Sequence, residues 1–159
     1  MQFKHFTLLA ISALTSLFLL TTSCKKSSST SSNSVSASVG STNFSSGTTV
    51  GGYSPSIDLL GIVSYIVQNK DTTGFQLTMP LKVKVGQPFS SDSTVLEVVY
   101  QASTGTAYDS YSGHAVATIN SLDTTGHKVS GVFSAVAYDS GTDSVVITNG
   151  KFSTSYTVQ

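Results

Sequence analysis

Apolar residues recur at every second position through much of this chain, the spacing of a half-buried β-strand rather than of a helix. Val35, Ala37 and Val39 alternate with Ser34, Ser36 and Ser38, while Phe152, Thr154, Tyr156 and Val158 alternate with Ser153, Ser155 and Thr157. Gly40-Ser41 allows a turn into residues 42–50, a second strand that Gly51-Gly52 is expected to end. Further strands are expected over residues 75–79, 81–85, 94–101, 114–122, 128–138 and 144–158. Lys82 and Lys84 would guard an edge, and Pro80 and Pro88 are barred from central ladder positions. Asn149-Gly150 interrupts the last segment as either a tight hairpin or a bulge.

Residues 57–67 are apolar on both parities, with Ile57, Leu59, Val63, Tyr65 and Val67 on one and Leu60, Ile62 and Ile66 on the other. A central strand or a helix would fit, the helix because Ser54 could cap it and Pro55 could occupy its first position. Gly61 and the β-branched residues favour the strand. Asp71-Thr72-Thr73-Gly74 recurs as Asp123-Thr124-Thr125-Gly126, and Asp first with Gly fourth is the signature of a type I turn, so both are expected at hairpin ends. The pattern predicts an all-β domain over residues 35–159, an antiparallel β-sandwich of about eight to ten strands.

The first 34 residues have another pattern. Lys4 and His5 precede an uncharged run from Phe6 to Leu20, which as a helix would extend roughly 22 Å against a hydrocarbon core of roughly 30 Å. That length suits the apolar region of a signal peptide over residues 1–23. Thr22 and Ser23 are small enough for a peptidase, and Cys24, the only cysteine, stands where the apolar run gives way to Lys25 and Lys26. Cys24 is therefore expected to be the lipid attachment site, joined to membrane lipid by acylation, which would also cap a thiol that is a liability in an oxidising compartment. The alternative is an ordinary secretory signal cleaved near Ser23, with Thr21 standing where a lipoprotein signal usually has a bulky aliphatic residue. Residues 24–34 continue as a hydroxyl-rich tether with nothing apolar to bury.

Composition narrows the partners. Eight lysines balance eight acidic residues, so no basic footprint for nucleic acid exists and none is expected as a partner. Serine and threonine, 30 and 21 residues, carry the solubility that charge usually supplies, in keeping with strands, turns and an extracytoplasmic setting.

Three stretches resemble the small lipoproteins of Bacteroidota that carry a β-rich domain of unknown function. They are Ser23-Cys24-Lys25-Lys26, Ala37-Ser38-Val39-Gly40-Ser41-Thr42-Asn43-Phe44, and the closing Gly131-Val132-Phe133-Ser134-Ala135 with Val146-Ile147-Thr148-Asn149-Gly150-Lys151-Phe152. The resemblance implies a lipid-anchored envelope protein and no catalytic residues. Surface display in that lineage usually goes with acidic residues after the cysteine; lysines and serines here point to an outer-membrane anchor facing the periplasm.

Candidate chemistry is sparse. His114 and His127 each follow a glycine, with no metal-ligand spacing, and no G-x-S-x-G elbow surrounds a serine. No catalytic, cofactor or metal residues are therefore assigned, and a hydrolase would need one of these histidines beside an acid and a serine. Asp139-Ser140-Gly141-Thr142-Asp143 is a hairpin tip, with a cation as the rival reading of its two carboxylates. Asp58, Glu97 and Asp109 show no spacing of an acid–base pair. Tyr108, Asp109 and Tyr111 are the candidate ligand contacts, since aromatic faces beside an acid can stack on a sugar and bond its hydroxyls. The expected function is a lipid-anchored, non-enzymatic structural or binding module, the alternative a glycan- or peptide-binding module of the outer membrane.

Overall fold

The computed structural model describes residues 33–159. Ten strands follow one another: β1 Ser34–Val39, β2 Thr42–Ser45, β3 Thr48–Ser54, β4 Leu59–Gln68, β5 Asp71–Pro80, β6 Pro88–Ser90, β7 Glu97–Gln101, β8 Ala107–Asp123, β9 Lys128–Tyr138 and β10 Ser144–Val158. The alternating stretches bury most of the side they were expected to bury, Val35, Ala37 and Val39 of β1 and Phe152, Thr154 and Tyr156 of β10, whereas Val158 at the end of β10 is exposed. Residues 57–67 contain a strand, with Leu60 and Ile62 fully buried, and Val67 on the opposite face is exposed. A helix would have left β3 and β5 without their shared neighbour.

Pairing runs β6-β8-β9-β10-β1-β2 through one layer and β3-β4-β5-β7 through the other. Phe75 of β5 meets Phe44 of β2 and Phe133 of β9 edge-on, at centroid distances of 4.9 and 5.8 Å, so the two layers pack as a sandwich. At opposite margins long strands pass from layer to layer. The start of β8 pairs β7 and its later part pairs β6, while β10 pairs β1 along its middle and β3 at its end. Hydrogen bonding therefore runs β3-β4-β5-β7-β8-β9-β10 and back to β3, a closed circuit with β1, β2 and β6 attached outside it. Every pair is antiparallel except β10 with β3, which run parallel from Tyr156↔Gly51 to Val158↔Tyr53.

Several local expectations are corrected. Gly51-Gly52 lies inside β3 and does not end a strand, because a Cβ on Gly51 would press on the Ser155 carbonyl at 3.0 Å where β10 comes alongside. Asp71-Thr72-Thr73-Gly74 is strand, since Asn69 and Lys70, with φ of 51° and 77°, already make the two-residue turn that joins β4 to β5. Only the second copy is a turn, where Asp123 Oδ1 accepts the N–H groups of Thr125 and Gly126. Residues 81–85 form no strand, so Lys82 and Lys84 guard no edge; Lys82 N–H instead donates to Asp58. Asn149, at φ 53°, is a bulge in β10.

Candidate functional site

Of the expected ligand contacts, Cys24 lies outside the described residues. The other three sit at the start of β8, where the strand's alternation separates them. Tyr108 turns between the layers, stacked on Tyr100 at 6.2 Å, with its hydroxyl donating to Asp143 Oδ2 at 3.1 Å. Tyr111 is 60% exposed on the outer side. The two rings thus do not share a platform. Asp109 also faces outward, and its Oδ1 accepts the Tyr111 N–H at 2.7 Å.

Asp109 has a neighbour that sequence spacing concealed. Glu97, on β7, is brought beside it by the pairing of Val99 with Asp109. Burial, then the Asp109 charge and a hydrogen bond shared with it, push the Glu97 carboxyl up to about 7. Its Oε2 is buried with no hydrogen-bond donor. Only register places these acids together, so nothing in their separation of 12 residues along the chain signalled it.

The pair has a consequence for stability. Unfolded Glu97 releases its proton near 4.5 and folded Glu97 near 7, so the folded chain binds more protons in that window. Its favourable contribution is full below about 4.5 and is lost as pH rises to about 7. With a discount for its partial exposure to solvent, the effect is about 1–2 kcal/mol. Glu97→Gln should stabilise the protein by about that amount at pH 8 and scarcely at pH 4.5. Urea midpoints of both forms across that range check it, and a constant difference would exclude the raised Glu97 carboxyl.

Neither histidine forms a catalytic arrangement. His114 Nδ1 lies 3.1 Å from Asp92 Oδ2, both side chains open to solvent, and no serine of the described residues hydrogen-bonds the other ring nitrogen. Ser91 Oγ instead accepts the Ala115 N–H. His127 packs edge-on against Tyr156 at 5.4 Å. In the 139–143 turn, Asp139 Oδ1 accepts the N–H groups of Gly141 and Asp143, which accounts for the hairpin tip. Among the described residues no three metal-ligating side chains gather.

The two ends of the sandwich differ. At one, Tyr53, Tyr156 and His127, with Tyr53 and Tyr156 5.9 Å apart, line a cavity of about 250 Å³ together with Leu81, Val83 and Leu122. The other holds a cavity of about 330 Å³ between the β1–β2 hairpin, the β4–β5 turn and the end of β7. Its floor is apolar and aromatic, from Phe44, Ile66 and Tyr100, and its wall polar, including Asn43, Gln68, Asp71 and Thr73.

Compared with protein-family models, with curated proteins and with solved structures, the chain matches none. Function must therefore be argued from these residues.

Proposed function

We propose that this chain is an envelope lipoprotein, held to the outer membrane by acylated Cys24 and facing the periplasm, whose β-sandwich is a non-enzymatic structural or binding module. The observation that carries the reading is where the fold begins. β1 starts at Ser34, ten positions after Cys24, and from there the strands close their own circuit as far as Val158. The strands of the described residues close that circuit among themselves, and the signal-like run that ends at Cys24 precedes them along the chain. A lipoprotein's two or three acyl chains, at about 0.8 kcal/mol per buried CH₂, make attachment lasting where one chain would be marginal.

A palmitate analogue fed to cells should label the wild type. Cys24→Ala should abolish the label and move the processed chain from the membrane to the soluble fraction. An unlabelled wild type, or a processed variant still bound to membranes, would overturn the anchor. A second reading, glycan binding, is favoured by the polar-walled cavity and not by Tyr108 and Tyr111, which lie on opposite sides of β8.

A further inference from the structure

The cavity occupies positions that point between the layers. Ile66 and Gln68 continue the inward parity of Leu60 and Ile62 on β4. Asp71 and Thr73 do the same for Phe75 and Leu77 on β5, and Tyr100 for Val98 on β7. At the opposite end the corresponding positions carry Tyr53, Leu122 and Tyr156, around a smaller cavity of about 250 Å³. A sandwich normally fills such positions with apolar side chains, because a polar group shut inside without a partner costs about 1–3 kcal/mol. Here Gln68 and Asp71 stand exposed at the mouth beside the β4–β5 turn and Thr73 is half-buried, none of them with a side-chain hydrogen bond to another described residue, so their donors and acceptors are available.

We propose that this end cavity is a binding site for a neutral saccharide of one or two rings. The inference deepens the reading of the domain as a binding module and depends on it, but is independent of the lipid anchor. Four features select that ligand. The space, about 330 Å³, lies at the lower end of the range for small-molecule pockets, and the mouth of a closed sheet is a common place for one. Phe44 and Tyr100 supply aromatic surface for the C–H face of a pyranose. The amides of Asn43 and Gln68, the Asp71 carboxylate and the Thr73 hydroxyl offer the mixed donors and acceptors that vicinal hydroxyls require. Among the described residues that line it, Asp71 alone is charged and none is a cation that would receive a phosphate, sulfate or uronate.

Two supports hold the floor. Tyr100 lies 5.1 Å from Phe75 and 6.2 Å from Tyr108, so its ring is fixed between neighbours on both sides. Burial raises its hydroxyl above the usual phenol range. Asn43 Oδ1 accepts the Ser38 hydroxyl at 3.0 Å, which orients the amide. Tyr108 thus contributes to this site as the backing of Tyr100 rather than as a contact.

The test is titration of the full chain in detergent, followed by NMR or calorimetry, with glucose, galactose, mannose, N-acetylglucosamine and their β-linked disaccharides. At least one should bind, and Asp71→Ala and Gln68→Ala should each weaken it about tenfold or more while the unfolding midpoint stays unchanged. Tyr111→Ala, on the outer face, should leave binding intact. Three results would each overturn the proposal: no panel member binding, binding indifferent to both cavity variants, or binding lost with Tyr111→Ala. Failure here with a labelled, membrane-bound wild type would remove the saccharide site and leave the anchor standing.

Discussion

Phe75→Ala is expected to cost about 3–5 kcal/mol of folding stability, the loss typical of emptying a fully packed aromatic site. Phe75 is 2% exposed and touches three other rings, Phe44, Tyr100 and Phe133, belonging to β2, β7 and β9. Its removal would open a void at the point where the two layers meet, and none of those rings can fill it without leaving its own strand's register. Against the roughly 5–15 kcal/mol that holds a domain of this kind together, such a loss leaves it marginal. Chemical denaturation should show a lowered midpoint, and Phe75→Leu, which keeps most of the volume, should fall between the variant and the wild type. A Phe75→Ala protein within about 1 kcal/mol of wild type would mean that the layers are not joined through this ring. Because Phe75 supports Tyr100, the same change should also loosen the floor of the end cavity.

Gly131→Ala is expected to cost about 3 kcal/mol although it adds a single methyl group to an apolar position. The added carbon would collide with the Thr118 carbonyl and stand 2.5 Å from Phe152 Cζ. Phe152 is the cross-strand partner of Gly131, and two residues along the same pair of strands Phe133 is the partner of Gly150. A Cβ on Gly150 would in turn stand 2.7 Å from the Phe133 ring. Each strand of the β9–β10 pair thus offers a glycine to the other's phenylalanine, and the rings lie flat against backbone that a side chain would otherwise cover. Two Gly-x-Phe triplets, Gly131-Val132-Phe133 and Gly150-Lys151-Phe152, encode the arrangement. Phe152→Leu should recover part of the loss in the Gly131→Ala background, a coupling that a double-mutant cycle measures. Gly47→Ala is the control, since only the Tyr65 carbonyl at 3.5 Å would meet its methyl, and it should change stability by no more than about 0.5 kcal/mol. Equal losses from the two alanines would argue against the ring-over-glycine account.

Much of the sheet was legible from the chain, and the reason is geometric. Where one face is buried, side chains alternate, so the spacing of Val35, Ala37 and Val39 states both the strand and its inner side. The bounds expected for residues 128–138 and 144–158 coincide with β9 and β10 for the same reason. Turn chemistry was less secure. Asp-Thr-Thr-Gly is a turn at Asp123 and strand at Asp71, because Asn69-Lys70 had already reversed the chain before the second of these was reached. A tetrapeptide's preference is worth little once a neighbouring pair has set the register.

Taken alone, the sequence determined the strands with regular alternation, the all-β class, and the assignment of the anchor to Cys24 as a proposal. Local spacing carries that information because each of these features lies within a few consecutive residues. Only the tertiary structure decided that the sheet closes through a parallel contact of β10 with β3, that Glu97 shares its surroundings with Asp109, and that Tyr108 and Tyr111 part company across β8. The cavity belongs to the same group, since Asn43, Gln68, Asp71 and Tyr100 come from separate strands and turns. Such juxtapositions depend on which strands become neighbours and in what register, and no spacing along the chain records that choice.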